Sequence, residues 1–195
     1  MTLLPFNDDV ITPVARPLCS GGVVILPTDT VYGVACHPAF PQALERIRQM
    51  KRRDASKPFQ LLAANIDAVW ANGAIHLPQA DRFITAWPGA LTLILPTVDG
   101  RTEGYRIPDA PRLCALLNQC GGCLRCTSVN ISGEPPAIDA SQAARALGAS
   151  VDLILDGGSA HLGIASTVIR CTNAHTEPNL LRQGAIHFPD MNLNA

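Results

Sequence analysis

No apolar run in this chain approaches the ~18 residues needed to cross a bilayer. Residues 1–7 carry no positive stretch of the kind that opens a secretory leader. Charge of one sign is also lacking. Fifteen Lys and Arg stand against 16 Asp and Glu, for a formal net charge of −1. That excludes a globally basic nucleic-acid binder and leaves only a local basic patch open. The common phosphate cradles G-x-x-x-x-G-K-[ST] and G-x-G-x-x-G are missing, as are the G-x-S-x-G elbow and the H-E-x-x-H zinc motif. A nucleotide, if bound, must be held by other means.

What is present is a foldable chain. Of its 195 residues, 47% are hydrophobic and only 16% charged, enough to bury one substantial core. No repeat, low-complexity tract or linker interrupts it, so the expectation is a single soluble, cytoplasmic domain over 1–195 with a frayed tail at 189–195. Short β-branched runs alternate with helical patterns, which reads as α/β. Strands are expected over 23–26, 31–36, 59–63, 91–95, 124–130, 151–155, 167–170 and 179–182. Helices are expected over 12–19, 42–52, 80–87, 110–118 and 141–147, the first of them kinked by Pro17.

Several segments place polar residues beside apolar strands. Pro27-Thr28-Asp29-Thr30-Val31-Tyr32-Gly33 sits between two such strands. It reads either as a turn satisfied by its own side chains or as the polar rim of a cleft. Lys51-Arg52-Arg53-Asp54-Ala55-Ser56-Lys57 follows a helix end. The helix dipole accounts for one or two of those cations; Arg53 and Lys57 lie beyond it and suit a polyphosphate clamp. Ser128 and Asn130, two apart, share one side of a regular strand. Arg106, Ser166 and Arg182 each stand alone beside an apolar run.

Seven cysteines in a chain of this size suggest reduced thiols rather than disulfide staples. Cys120, Cys123 and Cys126 form C-x-x-C-x-x-C, the spacing of an iron–sulfur or zinc site. A fourth ligand is not supplied by the spacing: Asn130 stands four residues past Cys126, and nothing fixes Cys114 or His37 nearby. The motif is read as small residues at a glycine-rich turn, and no protein-bound metal is expected.

Taken in order, these segments resemble the YrdC-like family of L-threonylcarbamoyladenylate synthases, which also holds YciO-type proteins. The resemblance covers about residues 22–184. It rests on Pro27–Gly33, Lys51-x-Arg53, Trp87-Pro88-Gly89-Ala90-Leu91-Thr92 and Arg106-Ile107-Pro108, and continues through Ser128-x-Asn130-x-Ser132-Gly133, Ser166-Thr167 and Leu181-Arg182-Gln183-Gly184. It implies a single-domain fold, a twisted mixed sheet flanked by helices with a concave cleft.

The resemblance also implies a reaction. L-threonine and bicarbonate form a carbamate that attacks the α-phosphate of ATP, giving L-threonylcarbamoyl-AMP and pyrophosphate. Partner proteins then use this product to modify tRNA. Lys51 and Arg53 would bind the triphosphate as catalytic residues, with Arg182 as a third cation. Ser128 and Asn130 would bind the nucleotide, and Thr28 and Ser166 the amino acid. Arg106 is expected to pair with the amino-acid carboxylate, which its planar fork suits. Mg2+ would enter with ATP.

Three departures stand out. Asp54 replaces a customary proline, Val129 a customary alanine, and the segment 97–105 is short enough to trim one wall of the site. They keep two alternatives in play: a relative that binds double-stranded RNA or tRNA without synthase activity, and a carbamoyl-transfer domain like those of hydrogenase maturation factors.

Overall fold

The computed structural model describes residues 2–52, 54 and 58–191. Among them are ten strands: β1 (Thr2–Pro5), β2 (Val23–Leu26), β3 (Gly33–Cys36), β4 (Gln60–Ala63), β5 (Leu91–Pro96), β6 (Thr102–Arg106), β7 (Cys123–Ser128), β8 (Leu153–Asp156), β9 (Thr167–Arg170) and β10 (Asn179–Arg182). Six α-helices accompany them: α1 (Ile11–Leu18), α2 (Pro41–Lys51), α3 (Ile66–Ala71), α4 (Asp81–Ile84), α5 (Pro111–Gln119) and α6 (Ala140–Leu147). The strands form one mixed sheet in the order β1-β8-β2-β3-β7-β4-β6-β5-β9-β10, with β1 and β10 as its two edges.

Side chains alternate across a strand, and the register turns that alternation into two unlike faces. Leu93 pairs with Tyr105 on β6 and with Ile169 on β9. These three, with Leu61, pack on Val69 of α3 and Phe83 of α4. On β2 and β3, Val23, Ile25 and Val34 pack on Ala43 and Ile47 of α2 and on α6. The opposite face is covered at Val24, Ala35, Leu62 and Leu124 by α1 and α5. That cover stops short of Gln60, Thr92, Gly104 and Arg106, and there the face turns polar.

The local signals explain most elements. Pro41 opens α2, where a missing N–H costs nothing, and Arg52 closes it in the left-handed region at φ 49°. Pro17 lies in the last turn of α1 and is accommodated there, while Ile11, Val14, Ala15 and Leu18 are buried. The Asn65 side chain caps α3 by accepting from the Ala68 N–H at 2.9 Å.

Three features differ from the sequence expectation. The helix expected over 80–87 is only one turn, Asp81–Ile84, preceded by a 3-10 turn. Trp87 precedes Pro88, and the residue before proline is driven from helical angles; that peptide bond is cis. β6, which supplies Thr102, Gly104 and Arg106 to the cleft, was not expected as a strand. β1 and α3 were not foreseen.

Candidate active site

The polar part of the sheet face floors a cavity of about 560 Å³, a size typical of small-molecule sites. Six strands and one turn contribute polar side chains to it: Gln60 from β4, Thr92 from β5, Arg106 from β6, Ser128 from β7, Arg170 from β9, Arg182 from β10, and Ser166 just ahead of β9. Of the eight residues expected at the site, the structure therefore brings Arg106, Ser128, Ser166 and Arg182 together around one space. Arg53, like Lys57, lies outside the described residues.

Thr28 is placed differently. Its hydroxyl donates to the Val31 carbonyl at 2.7 Å and accepts from the Thr30 N–H at 3.1 Å. Its proton being committed, the Thr30 hydroxyl must be the donor in the 2.9 Å contact between the two. Thr28 lines a second cavity of about 360 Å³, with Asp29, Ala110 and His161, while Thr30 and Val31 line the larger one. In this geometry the Thr28 hydroxyl is engaged by its own turn. Tyr32 anchors the turn by donating to the Gly158 carbonyl at 2.6 Å and accepting from the Gly157 N–H at 3.1 Å. Burial raises the Tyr32 pKa, and the Gly157 bond partly opposes that.

Arg106 is 2% exposed and tied on three sides. Its Nε donates to the Gly89 carbonyl at 3.1 Å, Nη1 to Thr30 Oγ1 at 2.7 Å, and Nη2 to Asp29 Oδ1. Burial pulls the Arg106 pKa down and the Asp29 charge opposes it. Three of the five guanidinium N–H donors are thus spent on the protein. Among the described residues, Asp29 Oδ2 is buried without a hydrogen-bond partner.

Lys51 is also turned inward. It is 1% exposed, and its Nζ donates to the carbonyls of Ser128 and Asn130, the latter at 2.8 Å, and to Asn130 Oδ1 at 2.9 Å. Asn130 completes its amide through Nδ2, which donates to the Ile131 and Glu134 carbonyls at 3.0 and 2.7 Å. Ser128 Oγ donates to Asn130 Oδ1 at 2.7 Å and still faces the cavity. Lys51 and Asn130 were expected to touch the nucleotide. In the structure they knot the end of α2 to the exit of β7, the strand that presents Ser128.

On the far wall, Arg182 donates from Nε to the Ser166 carbonyl at 2.9 Å and from Nη2 to Ser166 Oγ at 3.1 Å. Ser166 Oγ lies 2.8 Å from Thr92 Oγ1, which donates to Gln60 Oε1 at 2.7 Å. Gly184 packs against this wall. A Cβ there would stand 2.3 Å from both the Ala165 oxygen and the Ser166 carbonyl carbon, so only glycine fits.

The three cysteines of the C-x-x-C-x-x-C run do not converge. Cys120 and Cys126 pack in one apolar cluster and Cys123 in another. Burial raises the thiols of Cys120 and Cys126 to about 12 and that of Cys123 to about 11. Among the described residues there is no group of three His, Cys, Asp or Glu placed to hold a metal. No helix of these residues is long and apolar enough to cross a membrane.

The Sua5/YciO/YrdC family model, which carries the description Telomere recombination, matches residues 17–184. The chain belongs to this family. A relative from Bacillus subtilis (strain 168) named Threonylcarbamoyl-AMP synthase is 34% identical over 194 residues, covering 94% of this chain and 56% of that protein. One of the same name from Alkalilimnicola ehrlichii is 36% identical over 153 residues, covering 73% of this chain and 79% of its own length. Among solved structures, P. abyssi Sua5 complexed with L-threonine superposes with a TM-score of 0.86 at 28% identity, over 94% of this chain and 58% of that one. This chain thus spans little more than half of the B. subtilis and P. abyssi family members, and most of the A. ehrlichii one.

Gln60 escaped the sequence reading. Its signal was available: it is the one polar residue within Phe59-Gln60-Leu61-Leu62-Ala63. A polar side chain in an apolar strand marks a point where that face is uncovered. Thr92 lay within a quoted motif without a role.

Proposed function

We propose that the cleft forms L-threonylcarbamoyl-AMP. L-threonine, bicarbonate and ATP give this product with pyrophosphate and water, and tRNA-modification partner proteins consume it for N6-threonylcarbamoyladenosine. The observation that carries the reading is the convergence of Arg106, Ser128, Ser166 and Arg182 on one cavity of about 560 Å³, in a chain whose relatives bear the synthase name.

The chemistry asks for positioning and for cations. The carbamate oxygen attacks the α-phosphate, and the bond to the leaving pyrophosphate breaks as negative charge spreads over the phosphoryl oxygens. Arg182 and Arg170 line the cavity and, with Arg53 of the Lys51-x-Arg53 loop, would stabilise that charge. Ser128 would address the nucleotide from β7, held in place by the Lys51 and Asn130 knot. Ser166 would contact the amino acid. The two N–H donors of Arg106 not used by the protein would meet its carboxylate. Mg2+ would enter with ATP as part of the substrate and supply positive charge to the phosphates.

The test is pyrophosphate release from Mg-ATP. It should require threonine and bicarbonate together, and thermal stabilisation by ATP and threonine together should exceed the sum of the separate shifts. Intact protein that releases no pyrophosphate with all three substrates would refute the proposal.

A further inference from the structure

The wall opposite Ser128 carries a row of hydrogen bonds whose direction can be read by counting protons. Thr92 Oγ1 has one proton and lies 2.7 Å from Gln60 Oε1, which only accepts. The Thr92 proton therefore goes to Gln60. In the 2.8 Å contact between Thr92 and Ser166, the Ser166 hydroxyl must then be the donor. Ser166 Oγ in turn receives a bond from Arg182 Nη2 at 3.1 Å, and a guanidinium only donates. The chain runs one way, Arg182 to Ser166 to Thr92 to Gln60, closed by an obligate donor at one end and a carbonyl oxygen at the other. Ser166 and Thr92 are 2% and 3% exposed, yet both line the cavity.

From this polarity we infer that Gln60, acting through Thr92, is a positioning residue that fixes Ser166 as a hydrogen-bond acceptor toward the substrate, so that this wall selects an amino acid bearing a side-chain hydroxyl. With its proton committed, Ser166 offers the ligand a lone pair and nothing else. A hydroxyl donor completes it. The isosteric methyl of valine leaves it unmatched, and an unmet buried polar group is costly. The apolar neighbours Ile94 and Val168 on the same floor would tolerate either shape. Discrimination therefore rests on the acceptor, which suits the principle that sites built to hydrogen-bond a hydroxyl reject the analogue lacking it. The inference rests on the synthase reading, with threonine as the amino acid.

The experiment measures the ratio of kcat/KM for threonine to that for valine, from pyrophosphate release at saturating Mg-ATP and bicarbonate. Parallel calorimetry of both amino acids uses protein loaded with a non-hydrolysable ATP analogue. Gln60→Leu removes the terminal acceptor, and Thr92→Val removes the link without changing shape. Either change frees a proton to turn toward the ligand, and the threonine-to-valine ratio should fall by about 10-fold or more. Gln60→Glu keeps an acceptor for Thr92 and should retain the ratio within about threefold even where its added charge weakens ATP binding. An unchanged ratio in Gln60→Leu and Thr92→Val, whether or not activity falls, overturns the inference, because a merely structural wall lowers both substrates alike. A ratio near unity in the unsubstituted protein overturns it as well. Absence of both turnover and threonine binding in that protein is the separate signature of a failed synthase reading, and the inference falls with it.

Discussion

Arg106 and Asp29, 77 residues apart in sequence, form an ion pair with only 3% and 7% of their side chains exposed. The pair stands between the two cavities: Arg106 lines the larger and Asp29 the smaller. Removing one charge from such a pair strands the other. Asp29→Asn should therefore cost about 3–5 kcal/mol. In a domain of this length that lowers Tm by roughly 6–20 °C. An Asp29→Leu/Arg106→Met double variant should lose less than the two single changes summed. A change in unfolding free energy below about 1 kcal/mol for Asp29→Asn in urea denaturation would show that the pair is not structural in this sense.

How much of this was legible in the sequence depends on whether the information was local. Strand β2, helix α2 and the segment 167–170 declare themselves by runs of β-branched residues or by helical spacing. β6, with sequence Thr-Glu-Gly-Tyr-Arg, does not: its centre is a glycine and its pattern is mostly polar, because one face looks into the cleft. Arg106, Ser128, Ser166 and Arg182 stand in the sequence reading, and so does a turn at Thr28 satisfied by its own neighbours; the partners that hold Arg106 and Lys51 come from strand register and long-range packing. No spacing rule links Lys51 to Asn130, 79 residues away.

That last contact carries the second prediction. Lys51→Met leaves three oxygens, two of them backbone carbonyls, without the donor that gathers them. The turn presenting Ser128 should loosen, and ATP affinity should drop by about 10- to 100-fold, the worth of 1–3 kcal/mol for stranded buried acceptors. Lys51→Arg should not rescue, since a planar fork does not replace a compact ammonium at three converging oxygens. Calorimetry decides, and ATP binding by Lys51→Met within twofold of the parent speaks against the knot.

Gly184→Ala tests the far wall. Its methyl group would collide with the backbone at Ala165 and Ser166, and overpacking of this kind costs about 1–3 kcal/mol or more. The expected outcome is a lower Tm together with weaker threonine binding, because the displaced backbone carries Ser166. Unchanged thermal stability would mean that the chain at Ser166 yields without strain.

Thiol chemistry separates the cysteines by burial. Cys19 is exposed and Cys114 half-buried, while the other five are buried. Burial raises Cys36, Cys123 and Cys171 to about 11 and Cys120 and Cys126 to about 12. Thiolate is the reactive form, so native protein at pH 8 should show one fast-reacting thiol, lost in Cys19→Ser, with the buried five reacting only on unfolding. Rapid labelling of Cys126 would contradict its placement beneath Gly33, where a Cβ would stand 2.5 Å from its sulfur.

Arg182 has an unusual address. It ends β10, an edge strand whose neighbour in the sheet is β9, and the register slips between Leu180 and Arg182. A cation assigned to the phosphates therefore rides on a margin of the sheet, and margins open more readily than centres. Opening of this edge and filling of the cleft become linked equilibria: a nucleotide that engages Arg182 only in the docked strand holds the strand down, and part of its binding energy goes into doing so. Amide hydrogen exchange along β10 would then report nucleotide occupancy, slowing as the cleft fills while the central strands β4 and β7 stay unchanged.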